Sequence, residues 1–192
     1  MVQILYARDR VAVPWKNGGG VTREVMVFPR GASFENFGWR VSIATVERGG
    51  PFSVFPGIDR TIALFEGRMS LAIAGREVVT LSRESEPLAF AGDLATQAAL
   101  IGGPVTDLNV MTRRGQFTAR MTRRRPVGSV MFGSHNAATI ALALAAVTIG
   151  GGAEMPLAAG DALFAEPGAP QTISLSPGAD FYWIEIFAAP PP

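Results

Sequence analysis

Beyond its 16 carboxylates, this sequence offers little nitrogen or sulfur for nucleophilic, acid–base or metal chemistry. There is one histidine, His135, one lysine, Lys16, and no cysteine. Transition-metal sites usually take at least two nitrogen or sulfur ligands, so a metal here would need mostly carboxylates. The expectation is a protein with no metal and no other cofactor, with His135 in a turn or on the surface. No Gly-x-Ser-x-Gly elbow is present, and a Cys–His pair is excluded by composition. Lys16, Glu24 and Asp107 are the groups offered for proton transfer, but no pair has a diagnostic spacing, so catalytic residues stay unassigned. A buried carboxylate with a raised pKa would allow acid–base work without metal.

The densest set of candidates is PWKNGGGVTRE, Pro14 to Glu24. Three consecutive glycines cost backbone entropy and bury no side chain. The lysine precedes the glycines and no Lys-Ser/Thr follows them, so this is not a phosphate-binding P-loop. The glycines fit a chain crossing closely over a barrel mouth. Trp15 then covers one side of a pocket, and Lys16 and Asn17 supply polar contacts. Residues i and i+2 of a strand share a face, so a strand over 21–28 puts Thr22 and Glu24 together and turns Arg23 away. The plainer alternative is a structural turn with Trp15 as its anchor.

The elements that must position these groups read as strands. EVMVF (24–28), WRVSIATV (39–46), TIALF (61–65), MSLAI (69–73) and EVVTL (77–81) are short apolar runs cut by Gly and Pro. The linkers EGR and AGR between the last three are hairpin signals. A short helix over 94–100 is the one exception that the pattern allows. The class is all-β, with turn signals at sandwich or barrel spacing. PLAFAGDL (87–94) has an echo in PLAAGDAL (156–163), each after paired apolar runs. This predicts a duplication, with Gly92-Asp93 and Gly160-Asp161 in matching turns. The lobes are placed at 1–114 and 115–192, either separate or as one compact unit that shares the N-terminal strands.

Of the 192 residues, 48% are apolar, and the formal net charge is only +1. That is neither a disordered chain nor a general polyanion binder. The segment 112–128 carries Arg113, Arg114, Arg120, Arg123, Arg124 and Arg125 and no acid. With Phe117 its only aromatic, it reads as a protected edge strand rather than a nucleic-acid stripe. IALALAAVTI (140–149) is too short to span a bilayer, which takes about 20 residues. MVQILYARDRVAV is interrupted by charge and does not read as a signal peptide. The expectation is a cytoplasmic protein with no nucleic-acid or membrane partner; association as a homodimer stays open.

The paired hairpins with Gly-Asp turns suggest the cupin barrel, whose motifs run G-x5-H-x-H-x3-4-E-x6-G and G-x5-P-x-G-x2-H-x3-N. Anchored on Gly67, the first places Arg60 at the glutamate and Ser53 and Phe55 near the histidines. Anchored on Asn109, the second keeps Gly102 and puts Val105 at its histidine. A guanidinium in place of a metal-binding carboxylate inverts the preference of the pocket, from cation to carboxylate or phosphate. The alternative has Arg60 pointing outward to Asp59 or Glu66. PWKNGGGVTRE, WRVSIATVERGGPFSVFPGIDRT and GPVTDLNVMTRR together resemble the HutD/Ves family. The resemblance is strongest from Pro14 to Arg114, and in the C-terminal half it rests mainly on the Gly-Asp turn.

That resemblance implies a metal-free bicupin, two jelly-roll-like barrels, with a regulatory role in histidine utilisation and a ligand such as urocanate or formylglutamate. A planar acid needs a cation and an aromatic wall. Arg60, near Asn109, would meet the carboxylate; Trp15, Trp39 or Phe55 would supply the wall; Glu24 would accept an imidazole N–H. The alternative is a metal-independent isomerase or hydrolase acting on a small organic acid, and a third reading is an interaction module acting through the arginine segment.

Overall fold

The structure is a computed structural model that describes residues 1–150 and 154–189. The first strands are β1 (Val2–Leu5), β2 (Ala12–Pro14), β3 (Gly20–Phe28), β4 (Trp39–Val46), β5 (Gly50–Pro51) and β6 (Ile58–Glu66). They are followed by β7 (Arg68–Ile73), β8 (Val79–Ser82), β9 (Leu88–Ala91), β10 (Thr96–Leu100) and β11 (Val105–Arg113). The remainder is β12 (Phe117–Arg124), β13 (Gly128–Phe132), β14 (Ala137–Ala143), β15 (Val147–Gly150), β16 (Met155–Leu157), β17 (Ala162–Ala165), β18 (Gln171–Leu175) and β19 (Phe181–Ala188). A single 3-10 turn, Ala7–Asp9, is the only helical element among the described residues. None of them forms a helix long and apolar enough to cross a membrane.

The chain divides into two compact units, Val11–Phe117 and Met1–Arg10 with Thr118–Pro192. The first ten residues belong to the second unit because β1 pairs with β17, Val2 opposite Ala165. The Asp161 carboxylate fixes that segment by accepting the Ala7 N–H at 2.7 Å and the Ala158 N–H at 2.8 Å.

Strand order establishes the duplication. The first unit has sheets β2-β3-β4-β11-β6-β9 and β5-β10-β7-β8; the second has β1-β17-β14-β19-β12 and β13-β18-β15-β16. Adding eight to each label from β4 to β11 turns the first arrangement into the second. The architecture is all-β, a bicupin of two jelly-roll-like lobes. The Gly-Asp echo, however, is out of step with it. Gly92-Asp93 lies between β9 and β10, whereas Gly160-Asp161 lies between β16 and β17, one strand earlier in the repeat. The two aspartates differ in work as well: Asp93 accepts the Gly57 N–H at 2.8 Å and pairs with Arg114. Short Gly-Asp turns recur wherever a strand must reverse, so the echo arose without equivalence. The helix allowed over 94–100 is instead β10, paired to β7 from Thr96–Ile73 to Leu100–Met69.

Side-chain alternation gives each lobe its core. In the first, Ala44, Val46, Ile62, Leu64, Met69, Leu71, Ile73, Phe90, Ala98 and Val105 pack together. In the second, Phe132, Ala141, Val147, Leu163, Ile173, Phe181 and Trp183 do so. A Leu- or Ile-sized side chain contributes roughly 1.5–3 kcal/mol on full burial, so these clusters hold the barrels closed. The third residue of β6 is Arg60 and the third of β14 is Thr139. A charge therefore enters the interior of the first lobe where the second has a small hydroxyl.

Candidate functional site

β11 pairs with β4 on one side and β6 on the other. Its inward row is Val105, Asp107, Asn109 and Met111, since Val105 packs in the core and alternate residues share a face. Cross-strand pairing extends the row: Met111 lies opposite Arg40 and Arg60, and Asn109 opposite Ser42 and Ile62. Glu24 on β3 lies opposite Ser42. The register thus lays a polar belt across one wall of an otherwise apolar barrel.

Arg60 is 8% exposed. Its Nε and Nη2 donate to Asn109 Oδ1 at 3.3 and 2.7 Å, and Asn109 Nδ2 donates to Asp107 Oδ1 at 2.7 Å. Its guanidinium carbon stands 4.8, 5.3 and 5.9 Å from the ring centres of Phe52, Phe90 and Phe55. Such cation–π contacts are each worth about 0.5–2 kcal/mol. Asp59 does not hold Arg60: it faces out and takes Arg114 at 2.7 Å. Among the described residues, Arg60 Nη1 makes no protein hydrogen bond, and it is not among the sealed, unpartnered polar atoms, so it keeps access to open space.

Burial sets the electrostatics. Desolvation lowers the Arg60 pKa to about 10, with Asp107 opposing the shift, so the guanidinium stays charged at neutral pH. Desolvation raises Asp107 to about 6, against the Asn109 hydrogen bond and the Arg60 charge. Asn109 therefore sits between a cation and a carboxylate, with each end of its amide oriented by the group it serves.

The glycine stretch builds the neighbouring wall. Trp15 donates its indole N–H to Thr22 Oγ1 at 2.7 Å. Asn17 Oδ1 accepts the Gly19 N–H at 3.0 Å, closing the turn. Gly18 needs its freedom, with φ at +64°, and Arg48 caps its carbonyl at 2.8 Å. A Cβ on Gly20 would meet the Thr45 carbonyl oxygen at 2.5 Å and the Trp15 ring at 3.2 Å. Trp15, Asn17, Val46, Phe52 and Ala98 line a cavity of about 220 Å³. Phe52 links this cavity to Arg60 by touching both.

The structure brings Arg60, Asn109 and Phe55 together and places Trp15, Asn17 and Thr22 along the adjoining wall. Thr22 and Glu24 share a face, opposite Ala44 and Ser42. Lys16 is exposed and forms no side-chain bond among the described contacts. Trp39 is a correction. It stacks on Phe28 at 5.7 Å, on the face of β4 away from Arg40 and Ser42, because odd and even positions of a strand point oppositely. Glu24 is committed to Arg40, whose Nε donates to Glu24 Oε2 at 2.8 Å.

Arg40, Ser42, Phe52 and Phe90 were missed from sequence. Alternation in WRVSIATV separates Arg40 and Ser42 from Trp39 and Val41, and that signal was available. Phe90 meets Arg60 only through β6–β9 pairing, which no local pattern announces. The arginine segment is largely spent on structure. Arg113 donates to the carbonyls of Phe37 and Glu35, Arg114 binds Asp59 and Asp93, Arg123 and Arg125 pair with Asp180, and Arg124 pairs with Glu185. Among the described residues no group of three His, Asp or Glu is arranged to hold a metal ion.

A family model described as HutD matches residues 7–183. Protein Ves of Citrobacter koseri is 39% identical over 108 residues, 56% of this chain and 56% of its own length. An uncharacterized 21.2 kDa protein in the hutC 3′ region of Pseudomonas putida is 35% identical over 126 residues, 62% of this chain and 63% of its own. The matched region thus spans less than two thirds of either curated relative. The solved structure of HutD from Pseudomonas fluorescens SBW25, in a formate condition, is 32% identical with a TM-score of 0.83, covering 99% of this chain and 100% of that one.

Proposed function

The chain belongs to the HutD family, and on that premise we propose that it is a metal-free binding protein for a small carboxylate-bearing molecule, with a regulatory role in histidine utilisation. The observation that carries this reading is Arg60. A charged guanidinium is buried, walled by three phenyl rings, fixed on one edge by an amide, and left with an accessible, unbonded Nη1. Such a group is shaped for a carboxylate, and its low-dielectric, phenyl-lined surroundings strengthen the pair. Urocanate fits the chemistry: its carboxylate would meet Arg60 and its flat ring would lie against Phe52 or Trp15. Formylglutamate would satisfy the same cation. The P. putida relative's place in a hutC 3′ region supports the pathway link.

Titration calorimetry with urocanate, formylglutamate and their carboxamides tests the reading. Binding of an acid and loss of binding for its amide is the expected result. Equal binding of both, or of neither, contradicts it.

Asp107 favours a second reading. A buried carboxylate titrating near pH 6 beside the anion site could move a proton on a bound acid, as a metal-independent isomerase or hydrolase requires. Incubation of each acid followed by mass or absorbance measurement separates turnover from binding.

A further inference from the structure

Arg60 and Asp107 stand one amide apart. Arg60 Nη2 donates to Asn109 Oδ1 at 2.7 Å, and Asn109 Nδ2 donates to Asp107 Oδ1 at 2.7 Å. Both ends of the chain are buried, Arg60 at 8% exposed and Asp107 at 2%. Each is the charge that acts on the other. One guanidinium and one carboxylate thus balance within the barrel wall.

The surroundings give Asp107 no second cation among the described residues. Ala44 on β4 and Leu64 on β6 lie opposite it, and Met69, Leu71 and Ala98 of β7 and β10 share the same core. Arg60 is the charge that reaches it from β6. On β4, Arg40 stands two inward positions further along and is paired with Glu24 of β3 at 2.8 Å. The Asp107 carboxylate also has one oxygen in use and one spare. Oδ1 accepts from Asn109, whereas Oδ2 makes no protein hydrogen bond and is not sealed. A proton can therefore reach Oδ2 from open space with the Arg60–Asn109–Asp107 chain left intact.

A ligand carboxylate on Arg60 upsets this balance. Two carboxylates then share one guanidinium in a low-dielectric interior, where like charges raise each other's pKa. The ligand touches the guanidinium directly and keeps its charge. Asp107 is held behind the amide, and burial already raises it to about 6. Asp107 is the group that yields.

We propose that this site takes up its carboxylate together with a proton: the anion pairs with Arg60 while one proton passes from solvent to Asp107 Oδ2. This regulation of the Arg60 site rests on the carboxylate reading. Asp107 is a positioning residue for charge, acting on the ligand through Arg60. Affinity is level where Asp107 is already protonated and falls as pH rises above about 6, by up to about tenfold per pH unit. Acidification of the surroundings therefore loads the protein, and alkalinity empties it.

The test is calorimetry with formylglutamate, whose carboxyls are ionised from pH 5.5 to 8.5. Wild type and Asp107→Asn are titrated at pH 5.5, 7.5 and 8.5, the middle point in both HEPES and Tris, which release different heats per proton. Wild type should take up roughly one proton per ligand at pH 7.5 and bind about tenfold or more weaker at pH 8.5 than at pH 5.5. Asp107→Asn sets a neutral amide N–H where the protonated Oδ2 would stand. It should take up no proton, and at pH 8.5 it should bind as tightly as wild type at pH 5.5, a gain that damage to the fold does not produce. Binding by wild type with no proton uptake and no pH dependence overturns this proposal while the carboxylate reading stands. Proton uptake that persists in Asp107→Asn also overturns it. So does an absence of formylglutamate binding at pH 5.5, where the proton is already in place; the urocanate titration then decides the carboxylate reading separately.

Discussion

Arg60 and Asn109 meet across β6 and β11, offset by two residues in register, with Nη2 2.7 Å from the amide oxygen. The contact leaves the Asn109 nitrogen for Asp107 and the far edge of the guanidinium for something else. A buried arginine hydrogen-bonded only to a neutral amide, with the Asp107 charge held behind that amide, keeps an edge on which an incoming carboxylate can pair directly.

Asp107 should make stability depend on pH in an unusual direction. Its folded pKa, about 6, lies above the model-peptide value of 3.8. Between those values the folded state keeps a proton that the unfolded state has lost. Stability is therefore highest at the acid end for this group and falls as pH rises from about 4 to about 6, levelling above that. Asp107→Asn should flatten this segment and raise stability at pH 8 by up to about 3 kcal/mol, less what Arg60 loses with its counter-charge. Urea melts at pH 4.5 and pH 8 check it; an unchanged pH slope contradicts the assignment.

Gly20→Ala should cost about 2–3 kcal/mol, because its methyl would strike the Thr45 carbonyl and the Trp15 ring in a packed wall. Gly31→Ala has open space at its Cβ but needs a φ of +77°, so its cost is backbone strain and not collision. Chemical denaturation of both variants should show Gly20→Ala as the more damaging, and should show a change in Trp15 emission only there.

Much of the frame was legible. Alternating apolar runs and Gly-bearing linkers located β4, β7 and the hairpins, because strands and tight turns are set by near neighbours. The Arg60 substitution within a cupin spacing led to the interior, and the structure puts it there. The remainder depends on pairing across long separations. Phe90, Asn109 and Arg40 meet the belt through register, and a shift of one residue would send each to the other face. The Gly-Asp echo misled for the converse reason: a local likeness carries no information on which strands it joins.

The purified protein should carry no stoichiometric transition metal. Counted along the cupin motif spacing, Val105 and Arg60 fall where a metal-binding member would have ligands, and the chain has one histidine and no cysteine. Elemental analysis after chelator washing should read well below one iron, zinc, manganese or nickel per chain, and a value near one would contradict this.

Calorimetry of Arg60 variants with the tightest-binding histidine-pathway acid is the direct test of a guanidinium that binds a ligand carboxylate. Arg60→Lys keeps the charge and loses the fork; Arg60→Ala loses both. Weaker binding is expected in Arg60→Lys and a further loss in Arg60→Ala, about 2–5 kcal/mol in total for a desolvated pair, with the fold intact by circular dichroism. Arg60→Ala/Asp107→Asn, which leaves no unpaired carboxylate in the barrel, should show the same loss. Wild-type affinity in either alanine variant would contradict a carboxylate-binding role for Arg60.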